Sequence, residues 1–351
     1  EREILRLEEQ QYNIVDEFLY GKENKMILSG GAGTGKTVIC NKIVKELTAH
    51  NKKILYVCFN KALSKQLASI FEENKNVDVY NIHSLMEKFI SSKNQTKDKG
   101  QKYFDETLPS LFMEEIYKRL DDNRLDLYDY LVVDEAQDFL TENLIMNLFD
   151  LIHNGFTKGK WFISIDDKVQ ANAYSNFNED LLKSILKGSN CISRGLFRNL
   201  RNPKTIAKRA NRIYPELKLP IPTRELSTKP KKVIFFEEKK EISMLAKSIK
   251  KCLEDGAKTN QITILTFQSK QKSKLNKIRS ITNQELINIR DYEQEDNALV
   301  WSEISAYKGL ENHFIFVIEC PENEITERQK SLYYISLTRS KSDYYLICSD
   351  G

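Results

Sequence analysis

The chain has 351 residues, 40% hydrophobic and 30% charged, which is length enough for two or three domains with cores of their own. Its 54 basic and 50 acidic residues leave a net charge of +4, which excludes a uniformly basic coat for nucleic acid but not a local basic track. Six scattered cysteines with no CxxC pair, and four histidines, argue against a zinc module or a disulfide scaffold and point to reduced, buried thiols in a cytoplasmic protein.

Along the first two hundred residues, short apolar runs alternate with helical stretches. The runs Lys25–Ser29, Lys53–Phe59, Val77–Asn81, Tyr130–Val133 and Trp161–Ile165 have the length and polar bounding of buried strands. Thr37–Ala49 and Lys61–Glu73 carry apolar residues at helical spacing. Ser91–Lys102 is polar and lysine-rich, and reads as a loop. Gly195–Pro230 is irregular, holds five of the seven prolines, and reads as the joint between two lobes. Alternation then resumes: strand Lys232–Phe236, helix Glu241–Leu253, strand Gln261–Phe267, helix Ser269–Ile278, strands near Glu285–Ile289, Phe314–Ile318 and Tyr344–Cys348, and a helix over Glu327–Thr338. Strand–helix alternation implies βαβ units, hence an α/β fold of two tandem lobes, each a mostly parallel sheet flanked by helices. The domain reading is 1–195 and 196–351, with room in 86–128 for no more than a small helical insert. No apolar run approaches a membrane span, and no membrane partner is expected. Starting at Glu1 without methionine and ending at Asp350-Gly351, the chain reads as a piece of a longer protein.

The strongest chemical signal is Gly30-Gly31-Ala32-Gly33-Thr34-Gly35-Lys36-Thr37, a GxxxxGK[ST] stretch between an apolar strand and a helix. Glycines let backbone amides turn inward around phosphate oxygens, and the next helix adds its positive end. Lys36 is placed for the β- and γ-phosphates, and Thr37 for Mg²⁺. This predicts ATP or GTP binding. Asp134-Glu135-Ala136-Gln137-Asp138 follows the apolar run Leu131-Val132-Val133. An acid at the end of such a strand can hold Mg²⁺, and Glu135 beside it can act as general base on the attacking water. Adjacent acids there can also simply cap a helix; the upstream phosphate loop favours the catalytic alternative.

With these motifs in place, the chain resembles the UvrD/Rep/PcrA-like branch of superfamily 1 helicases, across nearly its whole length and in the family's order. Leu7-Glu8-Glu9-Gln10-Gln11 resembles the N-terminal glutamine motif, in which Gln11 would read the adenine edge of ATP. Phe59-Asn60-Lys61-Ala62-Leu63 and His83-Ser84-Leu85 are similar to segments that touch single-stranded nucleic acid. Asp134–Asp138 resembles DExxD, Asp167-Lys168-Val169-Gln170 resembles GDxxQ with Gln170 sensing the γ-phosphate, and Asn199-Leu200-Arg201-Asn202 resembles NYR. Lys308-Gly309-Leu310-Glu311 is similar to KGLE, with Gly309 and Glu311 on the nucleotide side, and Leu337-Thr338-Arg339-Ser340-Lys341 to LTRAK. The resemblance implies two RecA-like lobes, with Walker motifs in 1A and the arginine fingers Arg201 and Arg339 in 2A. Such guanidinium groups stabilise charge that develops in phosphoryl transfer. It also implies an ATP- and Mg²⁺-dependent translocase or helicase, moving 3′→5′ on single strands, with DNA favoured over RNA.

Three departures qualify this. Where the family stacks a base on tryptophan, the chain offers Tyr174 or Phe177. Asp166 stands in place of a glycine, and Glu303-Ile304-Ser305 in place of Thr-x-His, where a carboxylate would repel a backbone phosphate. The gaps between motifs also lack space for large accessory subdomains. That favours a minimal two-lobe motor, similar to those joined to nuclease-related domains, with any nuclease outside this chain. The competing expectation is an ATP-gated module that controls such a nuclease without stepping.

Overall fold

The computed structural model describes residues 7–90, 100, 102–138, 142–166, 179–213, 233–236, 240–293, 297–321 and 325–349. The fold is α/β, with two sheets flanked by helices, and it divides into two compact units. One comprises residues 1–31 and 35–197, the other 32–34 and 198–351. Among the described residues no helix is long and apolar enough to cross a membrane.

In the first unit, six strands run in the order β3-β2-β4-β5-β1-β6, every neighbouring pair parallel. They are β1 (Lys25–Gly30), β2 (Ile54–Cys58), β3 (Val77–Asn81), β4 (Tyr130–Asp134), β5 (Trp161–Asp166) and β6 (Ile192–Leu196). The helices are α1 (Glu9–Tyr20), α2 (Lys36–Ala49), α3 (Lys61–Ile70), α4 (Ile82–Phe89), α5 (Leu108–Asp121), α6 (Glu142–Phe149), the short α7 (Gly155–Lys158) and α8 (Glu179–Ser189).

Strand alternation sorts the side chains onto two faces. Leu55, Val57, Leu131, Val133, Trp161 and Ile163 pack in one cluster with residues of α4, α5, α6 and α8. The intervening residues take the opposite face, where Phe162 meets Phe18 of α1 edge-on at 5.2 Å. Asp134 and Ser164 share this second parity, so the alternation that fills one core also turns the β4 carboxylate away from it.

The described residues of 86–128 include a small helical segment that packs into the main core. A π-helical turn, Tyr103–Thr107, leads into α5, and Tyr103, Leu108, Phe112 and Ile116 are buried members of the main cluster. Polar spacing between them hid this contribution. The strand β6 ends, and the helix α9 (Lys204–Ile213) lies, inside the stretch read as an irregular joint. Most of the expected loop 91–102, and residues 214–232, lie outside the described residues.

In the second unit, seven strands follow the order β7-β13-β12-β8-β11-β10-β9. They are β7 (Val233–Phe236), β8 (Ile262–Thr266), β9 (Ser280–Ile281), β10 (Gln284–Asn288), β11 (Leu299–Glu303), β12 (Asn312–Ile318) and β13 (Ser340–Ser349). All pairs are parallel except β9 with β10. Helices α10 (Glu241–Glu254) and α11 (Glu327–Thr338) complete it. Leu245 and Ile249 of α10 close the core over Ile262, Ile264, Leu299, Trp301 and Phe316.

The expected helix Ser269–Ile278 is a loop with one 3₁₀ turn, Lys274–Lys277. Its backbone amides are drawn outward by carboxylates. Lys270 N–H donates to Glu303 at 3.2 Å, and Lys274 N–H to Glu319 at 2.8 Å. β11 was not foreseen, although all five of its residues are buried.

Phe112 is fully buried within the main cluster. Phe112→Ala is expected to destabilise the first unit by about 3–5 kcal/mol through the cavity it leaves. Chemical denaturation checks this, and a near-neutral result would mean that α5 is dispensable to the core.

Candidate functional site

The phosphate loop begins where β1 ends at Gly30 and closes where α2 begins at Lys36. Gly30, Gly31, Ala32, Gly33 and Thr34 are all buried. Gly35 has φ +92°, which disfavours any L side chain, and a Cβ there would lie 2.2 Å from Nε2 of Gln11. Gln11 is thereby placed against the loop. Its Oε1 accepts the backbone N–H of Glu8 at 3.1 Å, and the side chain is buried.

Lys36 is almost fully enclosed. Its Nζ donates to the carbonyl of Gly30 at 2.7 Å and of Gly31 at 3.4 Å, and lies 3.6 Å from Oδ2 of Asp166. Asp166, noted in the sequence only as a replacement for glycine, is therefore a partner of the phosphate-loop lysine. The strand order explains it: β5 runs between β4 and β1, so its last residue emerges between the two motif strands.

Thr37 Oγ1 donates to Oδ2 of Asp134 at 2.6 Å, joining the two expected Mg²⁺ ligands directly. Asp134 has no exposed surface. Burial first, and then the carboxylate of Glu135, push its pKa up, while bonds from Ser164 and Thr37 and the charge of Lys36 pull the other way. Glu135 sits in a left-handed backbone conformation, φ +56°. Its N–H points to Oδ1 of Asp134 at 3.1 Å and Oγ of Ser164 at 3.3 Å. Gln137 Nε2 donates to the Glu135 carboxylate, and its Oε1 accepts the N–H of Asp166 at 2.8 Å. Ser164 and Gln137 were not singled out in the sequence. Strand parity foreshadows Ser164; Gln137 was legible only as part of its motif. Gln170, Tyr174 and Phe177 lie outside the described residues.

In the same unit, Phe59 (38% exposed) follows β2, and His83 lies in the first turn of α4 after β3. Their rings meet edge-on at 5.5 Å, and His83 meets Phe104 of the π-helical turn at 5.0 Å. Phe104 had no sequence signal. Burial lowers the pKa of His83, against Glu87 and Asp105, which favours a neutral ring. The side-chain oxygen of Asn60 caps α3, accepting from Ala62 at 2.7 Å and Leu63 at 3.1 Å, while Lys61 is exposed.

The second unit gathers its motif residues into one cluster. Arg201 and Lys341 both pair with Glu311, Lys341 at 2.8 Å. Burial alone would raise the Glu311 pKa; Arg201 and Lys341 outweigh it and hold the carboxyl at about 2. Asn202 Nδ2 donates to the carbonyls of Thr338 at 3.1 Å and Ser340 at 2.7 Å. Gly309, φ +82°, turns the chain ahead of Glu311. Arg339 is 1% exposed, and its guanidinium donates to the carbonyls of Ile335 and Leu310 and to Thr338 Oγ1 at 3.1–3.4 Å. As placed, that arginine braces its own unit. Glu303 is also enclosed, bound by Arg290 at 2.8 Å and by Lys270 N–H. The expected repulsion of a phosphate by Glu303 is thus offset by a local cation.

Residues 11–174 match the family model described as an AAA domain. This is a P-loop NTPase domain, of the kind found in UvrD/Rep-like helicases. No curated protein matches the chain.

Two outcomes follow from this geometry. Asp166 occupies the lysine that a phosphate needs, so Asp166→Asn is expected to tighten nucleotide binding by roughly three- to tenfold, on the order of 1 kcal/mol. Calorimetric titration checks this, and unchanged or weaker binding would show that Asp166 supports the loop rather than competing at it. Because the folded pKa of Glu311 is depressed, its stabilisation is complete above the ordinary carboxyl pKa of about 4.3. It drains away as pH falls towards about 2. Denaturation at stepped pH should show a slope in this window that Glu311→Gln flattens.

Proposed function

We propose that the chain is an ATP-driven motor on single-stranded nucleic acid, with DNA favoured over RNA and 3′→5′ movement expected from its resemblance to UvrD/Rep/PcrA-like helicases. The observation that supports this most is the Thr37–Asp134 contact at 2.6 Å, with Lys36 and Glu135 built into the same hydrogen-bonded network. The donors suit Mg²⁺: a hydroxyl and a carboxylate oxygen are hard ligands, and a fully buried Asp134 gains from a cation. Thr37 and Asp134 would hold that ion, Lys36 and the loop amides would take phosphate oxygens, and Gln11 would meet the adenine. When bound, Mg²⁺-ATP supplies a polarised γ-phosphoryl group. Glu135, oriented by Gln137, accepts the proton of the attacking water. On the resemblance, Gln170, Arg201 and Arg339 would take the family's sensing and charge-stabilising roles, Arg339 on release of the bonds it makes to Ile335, Leu310 and Thr338. Phe59, Lys61, His83 and Phe104 form the strand-binding face, with rings for bases and a cation for the backbone.

The second reading, an ATP-gated module controlling a nuclease domain or partner in the cytoplasm without stepping, is favoured by one observation. Glu303 stands where the family contacts a backbone phosphate, and it is committed to Arg290 and Lys270.

ATP turnover with and without single-stranded DNA or RNA, beside Lys36→Ala, separates the readings. A motor shows stimulation of about tenfold or more that grows with strand length and vanishes in the variant. Turnover indifferent to nucleic acid of any length would overturn it in favour of the gated module.

A further inference from the structure

Cys320 and Cys348 stand far from the phosphate loop in sequence, and neither has a part in the function proposed above. Both belong to the second unit, at the C-terminal ends of two adjacent parallel strands. The register of β12 on β13 runs through Val317 opposite Leu346. Neighbouring strands lie about 4.8 Å apart, inside the roughly 4.4–6.8 Å Cα separation that a disulfide accepts. Simple continuation would set Cys320 one residue past Cys348. Glu319 prevents this: its φ of +55° ends the strand and turns the chain back. Cys320 Sγ then lies 3.5 Å from the carbonyl of Ile347, the residue before Cys348, and the two thiols are near enough to shift each other's pKa. Both side chains are partly accessible, whereas Cys40, Cys58 and Cys252 are buried.

We propose that Cys320 and Cys348 form a redox-active dithiol, which a low-molecular-weight disulfide converts into a cross-strand disulfide bond.

The surroundings divide the labour. Cys320 donates its S–H to the Ile347 carbonyl at 3.5 Å, and the neighbouring Cys348 thiol, ahead of burial, raises the Cys320 pKa. The Cys320 thiol in turn lowers the pKa of Cys348; burial and Glu241 oppose the change, and Arg209 adds to it. Cys348 is therefore the attacking thiolate. It attacks one sulfur of the disulfide RSSR, whose S–S bond breaks and releases RS⁻. Cys320, losing its proton to solvent, attacks Cys348 Sγ in the mixed disulfide and expels the second RS⁻. Two protein thiols are oxidised by two electrons, and one RSSR becomes two RSH. Tyr333 of α11 neighbours Cys320, so the new bond forms beside the helix that ends at Thr338.

The test uses the folded chain incubated with oxidised glutathione, followed by alkylation, digestion and mass spectrometry. The expected product is a linked pair of peptides carrying Cys320 and Cys348, lighter than the free pair by two hydrogens. Cys320→Ser should arrest Cys348 as a stable glutathione adduct. Cys348→Ser should slow modification of Cys320 by about tenfold or more. The wild-type mapping needs no variant, and thermal melting verifies that both serine variants fold. A wild-type chain in which Cys348 accumulates as the adduct while Cys320 remains alkylatable would overturn the proposal. So would one in which both stay thiols while the half-buried Cys191 is modified.

Discussion

A carboxylate with no exposed surface is costly unless it is bonded on several sides, and Asp134 is such a group at the heart of the first unit. Thr37, Ser164 and the charge of Lys36 offset its burial, and they come from two distant parts of the chain. The strand order makes this meeting possible. With β5 between β4 and β1, Ser164 is beside Asp134, and the loop after β1 delivers Lys36 and Thr37 to the same sheet end. Strand parity then decides the face, because Leu131 and Val133 take the apolar cluster and leave Asp134 to α2. Core packing and the nucleotide-site geometry are one constraint seen from two sides.

The second unit solves a similar problem with cations. Glu311 is held ionised by Arg201 and Lys341, so the motif segments around residues 199–202, 308–311 and 338–341 are tied by charge as well as by the bonds of Asn202. Arg201 and Arg339 share an expected role but differ in placement. Arg201 has a carboxylate partner on the rim of the cluster, whereas Arg339 spends its donors on its own helix end and on Leu310. Substituting Arg339 would remove support for α11 as well as a charge. A loss of activity in such a variant therefore says little about catalysis until stability has been measured.

What was legible in the sequence is what depends on short range. Gly30–Thr37 declares a loop because consecutive residues carry the backbone freedom, the cation and the hydroxyl together. Asp134 is legible because an acid closes an apolar strand. Asp166 could be noticed as a substitution, but its contact with Lys36 depends on strand order, which no local pattern encodes. The same holds for Phe104, which reaches His83 through a π-helical turn, and for the loop after β8, whose helical spacing is overruled by carboxylates from distant strands. Local propensity yields wherever buried acids from elsewhere need the backbone amides more than a helix does.

Two of the departures from the helicase pattern, Glu303 and Asp166, have opposite structural fates, and that difference bears on how the chain works. Glu303 is absorbed: Arg290 and the Lys270 amide take one of its oxygens, and its charge serves to pin a loop. Asp166 is not absorbed but inserted into the chemistry, because its nearest cation is the lysine on which phosphate binding depends. A phosphate that binds Lys36 must displace or share that carboxylate, and Asp166 is itself bonded through its N–H to Gln137, which in turn holds Glu135. Phosphate arrival at Lys36 is therefore linked, through the carboxylate and backbone amide of Asp166 and the side chain of Gln137, to the orientation of the proposed base. In a family where glycine occupies this position, no side chain can make that link.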